Sequence, residues 1–216
     1  MMTDLSQLTS SVVWKKFLKE YSISEQQQNQ FQSFLQLLMQ ENAKYNITAI
    51  DSLDEIVADH FYDSLSLIKQ HDMQTVRGLV DVGSGGGFPG IPLAIMCPYV
   101  RFNLVEVNLK KVHFLNLVIQ ELGLTNVIVH TDDWRTFLRK FQEPIDLFIA
   151  RASLPVEELL RIFKPSSPYQ QSIFVYWASK NWIPNSKEKE YLDKCLLYIV
   201  GEKQRQLCFF KHDKKS

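Results

Sequence analysis

The stretch LVDVGSGGGFPGIPLAI, Leu79 to Ile95, constrains the fold more than any other part of the chain. A β-branched apolar run interrupted by one aspartate passes into five glycines and two prolines, then into residues suited to a buried helix. Bare backbone at the carboxyl end of a buried strand lets a nucleotide-like ligand approach the main chain, because no Cβ stands in the way. So many glycines in so short a span predict a bound ligand rather than an empty turn.

The rest of the chain from Val76 onward agrees with that beginning. RGLVDVG reads as a first strand, RFNLVEV as a second, NVIVH and IDLFIA as a third and fourth, and SIFVYWA as a fifth. Between the second and third, Val112, Leu115, Val118, Ile119 and Leu122 recur at helical spacing, which predicts a helix over Leu109–Leu122 with Gly123 just past its end. Strands alternating with helices imply an α/β, doubly wound, mostly parallel sheet. CLLYIVG and QLCFFK read as a closing antiparallel pair, Ser186–Asp193 as a polar and helical segment, and KHDKKS as a solvated end.

The first 72 residues have another rhythm. Ser24 and Gln27 form a capping-box pair, followed by Phe31, Phe34, Leu35 and Leu38 on one helical face. A second helix is predicted after Ser52, with Glu55 as capping partner and Ile56, His60, Phe61, Ser64 and Leu65 in one stripe. Between them lies the irregular AKYNITAI. The expected organisation is a helical extension over 1–72 packed on a main domain over 73–216.

Lys+Arg and Asp+Glu are both 24, so an attraction to a polyanion has to be local rather than global. Cys97, Cys195 and Cys208 are far apart without a CxxC pair, which predicts neither a zinc site nor a disulfide but three buried thiols in a reducing cytosol. The apolar run at Ile91–Cys97 is too short to cross a bilayer, and a cytoplasmic monomer without a membrane partner is expected.

Two ligands compete for the glycines. Gly85, Gly87 and Gly90 match the GxGxxG of a dinucleotide site, with Glu106 at the end of the next strand for the ribose. Asp81, Gly83, Gly85 and Gly87 match the D-x-G-x-G-x-G of an S-adenosylmethionine site, in which the acid organises the loop and Glu106 again takes the ribose. The second fits better, because Pro89 and Pro92 make a rigid helix entry where a dinucleotide wants a smooth, close-packed turn. No G-x-S-x-G, H-E-x-x-H or P-loop is present, and no metal site is expected. An Asn/Asp-Pro-Pro-Tyr element after the fourth strand, used on exocyclic amines, is absent, as is the Pro-Cys of pyrimidine C5 chemistry.

KYNITAI, DHFYDSLSL, LVDVGSGGGFPGIPLAI, LVEVNLKKVHFLNLVIQELGL and IARA, in this order, resemble the bacterial 16S ribosomal RNA guanine-N7 methyltransferase family, also called glucose-inhibited division protein B. The resemblance runs from about Asn46 to Lys180. It implies a class I S-adenosylmethionine-dependent methyltransferase with an N-terminal helical extension, and guanine 527 of 16S rRNA, naked or in the small ribosomal subunit, as target. It puts Asp81, Gly83, Ser84, Gly85, Phe88, Glu106, Trp134, Arg135 and Arg151 on the cofactor. Arg151 is also the candidate positioner of the guanine or its phosphates, with a structural ion pair as its alternative role. Lys110, Lys111 and Lys180 fall to the RNA. The chain departs from the pattern where Asp133-Trp134-Arg135 replaces Arg-Ala-Glu and Asn181 replaces a glycine.

His60 and Asp63 either carry part of the site or lock the extension to the main domain; packing with an RNA-facing edge is the preferred reading. A small-molecule methyltransferase, a cofactor-binding ribosome-assembly factor without turnover, and a dehydrogenase remain as alternatives.

Overall fold

The computed structural model describes residues 5–48 and 52–212; Ala49 and Ile50 of AKYNITAI and residues 213–216 of the basic end lie outside them. Seven strands form one sheet: β1 Gly78–Val82, β2 Arg101–Val105, β3 Val127–His130, β4 Leu147–Arg151, β5 Ile173–Ser179, β6 Leu192–Val200 and β7 Lys203–Phe210. Their order is β3-β2-β1-β4-β5-β7-β6, with the first five parallel and β7 antiparallel to both β5 and β6. The helices are α1 Leu5–Ser10, α2 Val12–Glu20, α3 Glu25–Tyr45, α4 Leu53–Ile56, α5 Asp63–Leu65, α6 Gly90–Met96, α7 Leu109–Leu122, α8 Trp134–Lys140, α9 Val156–Leu159 and α10 Ser186–Lys189.

Alternation along each strand feeds two cores, one on either side of the sheet. Leu79, Phe102, Leu104, Leu147, Ile149 and Val175 meet α2, α3, α6 and α7 on one face. Val80, Val82, Phe148, Ala150 and Phe174 meet α8 and α9 on the other. The chain enters the sheet at β1, winds outward to β3, then crosses back to β4. The crevice that ligands use in such sheets therefore opens between the carboxyl ends of β1 and β4.

The N-terminal helices are continuous with the first core. Ser24 accepts the Gln27 N–H and Gln27 returns the bond, closing the capping box on α3. Phe31, Phe34, Leu35 and Leu38 are buried from that helix, and Phe34 lies 5.1 Å from Phe88 of the glycine loop. Burying one such ring contributes about 1.5–3 kcal/mol.

After Ser52, whose hydroxyl accepts the Glu55 N–H, the expected single helix is instead composite: α4, a π-helical turn over Val57–Tyr62, then α5. The π turn admits an extra residue per turn, so a 3.6-residue stripe misplaces His60, which is half-buried while Ile56, Phe61 and Leu65 are fully inside. The expected helix at Ser186–Asp193 ends at Lys189, and Asp193 belongs to β6.

The cysteine reading needs correction. Cys195 and Cys208 face each other across the β6–β7 hairpin and form a disulfide, leaving Cys97 as the buried free thiol among the described residues. Separation along the chain is a poor guide here, because an antiparallel hairpin brings residues 13 apart into register. Among the described residues no helix is long and apolar enough to cross a membrane.

Candidate functional site: a cleft at the strand crossover

A cleft of about 720 Å³ opens where β1 and β4 part. The glycine loop, the turn after β2, the start of α8 and the loop after β4 line it, with Ile47, Thr48 and His60 reaching in from the N-terminal part.

The five glycines do two different jobs. Gly85 has φ +58°, and a Cβ there would meet nothing nearer than 3.9 Å, so its open side is cleft. Gly90 is the opposite case: a Cβ would lie 2.5 Å from Leu104 Cδ2 and 2.7 Å from Asp81 Oδ2. Gly83, Gly86 and Gly87 also press against side chains of the protein. Much of the glycine density therefore answers to close packing within the chain, and not, as the sequence alone suggests, to a ligand alone.

Asp81 is fully buried beneath the loop and does not line the cleft. Its Oδ2 accepts the Gly90 N–H at 3.0 Å, while the Ser84 hydroxyl donates to its backbone carbonyl at 3.0 Å. Burial pushes its carboxyl up to about 7, with the Gly90 N–H and then the Arg151 charge pulling the other way. Asp81 thus shapes the turn from behind.

Glu106, just past β2, accepts the Gly85 N–H at 2.9 Å and the Asn108 N–H at 2.8 Å, one on each carboxylate oxygen. Each oxygen keeps a second acceptor position, enough for the two hydroxyls of a ribose. Lys111 lines the same wall with its Nζ 3.9 Å from where a Gly85 Cβ would stand.

At the far wall, Asp133 caps α8 by accepting the N–H groups of Arg135 and Thr136. Trp134 is buried, donates Nε1–H to the Glu158 carbonyl, and borders the cleft. Arg135 makes a two-pronged pair with the Glu158 carboxylate at 2.8 and 3.1 Å.

The remaining end is built around Arg151, the last residue of β4. Its Nη1 donates to the Asp63 carboxylate at 2.8 Å and to the Asp59 carbonyl at 3.2 Å, and its Nη2 faces His60 Nδ1 at 3.0 Å. A guanidinium can only donate, so His60 Nδ1 accepts and the ring is neutral with its proton on Nε2, facing Thr48 Oγ1 at 3.0 Å. Burial first, and the Arg151 charge second, hold His60 down to about 3. The imidazole stacks on Phe88 at 4.4 Å, and the Arg151 guanidinium lies 5.4 Å from the same ring centroid.

Asp63 is wholly buried and also accepts the Tyr198 hydroxyl at 2.6 Å, with Arg205 Nε at 3.5 Å; Lys203 pairs with Asp59. The π turn is thereby tied to β4 and to the β6–β7 hairpin. Next to Arg151, Ala152 sits at φ +51°, and the Ser153 hydroxyl is buried without a hydrogen-bond partner. Strained backbone beside an orphaned hydroxyl marks a place the fold holds open for something else.

Of the residues expected at the site, Gly83, Ser84, Gly85, Phe88, Glu106, Lys111, Trp134, Arg135 and Arg151 line the cleft together. Lys110 is exposed beside it, its Nζ 5.9 Å from the Tyr45 ring centroid, and Lys180 lies exposed after β5 without lining it. Thr48, Ser153 and Glu158 line it unforeseen: Thr48 belongs to KYNITAI but is given no role there, and Ser153 and Glu158 fall outside every quoted motif.

A family model for rRNA small subunit methyltransferase G, GidB, matches residues 27–208. The chain is 37% identical over 141 residues to the ribosomal RNA small subunit methyltransferase G of Mycoplasma capricolum subsp. capricolum, covering 64% of this chain and 60% of that protein. That match spans less than two thirds of the Mycoplasma protein's length. With the protein of the same name from Lachnoclostridium phytofermentans it shares 34% over 183 residues, 84% of this chain and 75% of the other.

Among solved structures, a MtNAS variant in complex with S-adenosylmethionine superposes with a TM-score of 0.56 at 16% identity, over 92% of this chain and 84% of that one. A putative O-methyltransferase from Klebsiella pneumoniae gives 0.57 at 11%, over 95% and 99%. Those two likenesses are of fold, the class I methyltransferase arrangement of a mostly parallel sheet closed by an antiparallel strand. By sequence, the chain belongs to the rRNA small subunit methyltransferase G family.

Proposed function

We propose that the chain is a cytoplasmic, monomeric methyltransferase that uses S-adenosylmethionine to methylate N7 of guanine 527 in 16S rRNA. The observation that carries this reading is a loop-and-acid arrangement suited to a nucleoside, with Arg151 and an already engaged His60 at the opposite end. Gly85 leaves open space where a ligand must approach the backbone, and Glu106 keeps free acceptor positions beside it. When bound, S-adenosylmethionine supplies an electrophilic methyl group on its sulfonium.

The chain's own residues then have a modest task. Guanine N7 carries a lone pair and no proton at neutral pH, so no general base is required. The neutral His60, already hydrogen-bonded on both nitrogens, is consistent with that. Arg151 has five N–H donors, and three are committed to Asp59, Asp63 and His60. The remaining two are available to orient a guanine or its phosphate. Ser153, packed against Gly83 with its hydroxyl unpartnered, is assigned in this reading to the amino-acid end of the cofactor. Catalysis becomes a matter of orientation, which is worth up to about 7–11 kcal/mol in favourable systems.

The test maps the product. N7-methylguanine carries a fixed positive charge, is reduced by borohydride, and leaves a site that aniline cleaves. Small subunits or 16S rRNA from cells lacking the modification, treated with protein and S-adenosylmethionine, should break at guanine 527 only when both are present. Labelled RNA that resists cleavage moves the target atom; no labelled RNA in any assembly state removes the proposal.

A further inference from the structure

The cleft does not stop at Arg135. From Asp133 and Arg135, where it meets the cleft, a second groove of about 890 Å³ runs between α8 and residues 161–168. Arg135, Arg139, Arg161 and Lys164 line it, together with Ser166 and Ser167.

Its carboxylates are already engaged. Asp133 is the acid in the lining, and its two oxygens accept the N–H groups of Arg135 and Thr136 and the Thr136 hydroxyl. Glu158, which borders the cleft, pairs with Arg135 and Arg161 and so fixes both guanidiniums in place. Arg139 is braced by Thr136 Oγ1 at 3.1 Å and, like Lys164, has no carboxylate within ion-pair distance among the described residues.

Charge of this kind on a convex surface would be an ordinary solvated face. Here it lines a concavity continuous with the cleft, in a chain whose charges balance as a whole at 24 against 24. Four cations against the one carboxylate of Asp133 leave the lining net positive, and a concavity of that kind focuses field and raises the local concentration of the opposite sign. Guanidiniums held in fixed forks beside hydroxyls suit phosphate oxygens at successive positions.

We propose that this groove holds the sugar–phosphate backbone of the RNA some nucleotides away from the base entering the cleft, since it adjoins the Arg135 end and the base is held at the Arg151 end. The inference rests on the reading that the methyl acceptor is RNA. It adds which surface supplies the attraction that a chain of zero net charge lacks as a whole, and the surface lies apart from Lys110, Lys111 and Lys180.

Arg139 and Lys164 do not line the cleft, so Arg139→Ala combined with Lys164→Ala separates RNA docking from cofactor binding. Binding of unmethylated 16S rRNA is to be measured between 50 and 200 mM salt, beside S-adenosylmethionine affinity by calorimetry, melting temperature and methyl transfer. Each phosphate left without its cation should flatten the slope of log K against log salt by roughly 0.7–0.9, about 1.5 for the pair. KM for RNA should rise with kcat, cofactor affinity and melting temperature held, and Arg139→Lys with Lys164→Arg should restore most of the binding. An unchanged salt slope overturns the groove while leaving methylation intact. So does a loss of cofactor affinity equal to that for RNA, and so does an acidic peptide that binds the groove while RNA ignores it. If the wild-type chain methylates no RNA, the reading beneath the groove falls and takes the groove with it.

Discussion

Replacing Asp63 by alanine is the most demanding test of how the acceptor end is held. Its carboxylate is fully buried and the Arg151 side chain is 13% exposed, so Asp63 has no water to fall back on and Arg151 little. Removing one member of a buried pair strands the other charge, which typically costs about 3–5 kcal/mol. The Tyr198 hydroxyl also loses its acceptor at 2.6 Å. For a domain of this size each kcal/mol shifts the melting temperature by roughly 2–4 °C, giving a fall of about 6–20 °C. The Arg101–Glu143 pair, with side chains 63% and 59% exposed, is the internal control: Glu143→Ala should change stability by about 1 kcal/mol at most.

Arg151→Ala is the reciprocal change, and it should lose stability as well as activity, though less than Asp63→Ala. Asp63 would still have Tyr198 and Arg205. The sequence taken alone leads one to expect an activity loss separable from stability; the ion pair revises that. Thermal unfolding of both single variants and the double variant closes a cycle, and contacting residues should show a coupling of roughly 0.5–3 kcal/mol. A fall of under 2 °C for Asp63→Ala, or strict additivity in the cycle, would refute the claim that this pair organises the cleft wall.

Gly85→Val should abolish S-adenosylmethionine binding by calorimetry while costing only the few degrees expected of a β-branched residue at φ +58°, whereas Gly90→Ala should impair folding by its clash with Leu104; equal phenotypes would erase the division between the glycines. Two opposed proton linkages should show in melting temperature against pH. His60, held down to about 3 from 6.5, makes stability rise with pH across that window, because the unfolded chain takes up a proton that the fold refuses. Asp81, pushed up to about 7 from 3.8, makes stability fall as pH rises between those values, because the fold keeps a proton that the unfolded chain releases. Relative to wild type, Asp81→Asn should therefore gain stability from pH 4 to 7 and His60→Gln from pH 6.5 down to 4, and flat difference curves would reject both assignments. Ser153→Ala should leave stability unchanged and weaken S-adenosylmethionine but not 5′-methylthioadenosine, which lacks the amino-acid end; equal weakening of the two would place the hydroxyl elsewhere.

What could be read beforehand follows from how far apart the cooperating residues are. The helix Leu109–Leu122 is legible to the residue, since its apolar spacing, the Asn108 cap and the left-handed Gly123 all lie within it or next to it. The glycine loop and Glu106 are legible because a short motif and the end of the next strand carry them. The Asp63–Arg151 pair spans 88 residues and the Asp63–Tyr198 bond 135, and only the topology brings those partners together. The disulfide escaped for the same reason at shorter range. β6 starts at Leu192 rather than Cys195 because an edge strand, half exposed on both faces, shows no clean alternation at its start. Glu158 reaches the cleft from a short helix whose pattern reports only burial.

The hairpin that completes the Asp63 network has a consequence in time. Lys203 and Arg205 leave the ribosome about fifty residues after Arg151, which at roughly 5–20 residues per second is a lag of about 3–10 s. During that lag the nascent chain already holds the glycine loop, Glu106 and β4, but Asp63 has received neither Tyr198 nor Arg205. Because β6 reaches the sheet only through β7, neither strand of the hairpin can join the sheet until β7 has been made. The half-synthesised protein therefore acquires its nucleoside-facing wall first and its acceptor-facing wall last. A translational pause placed between the codons for Ser179 and Lys203 would lengthen the life of that intermediate without altering a single residue of the finished molecule.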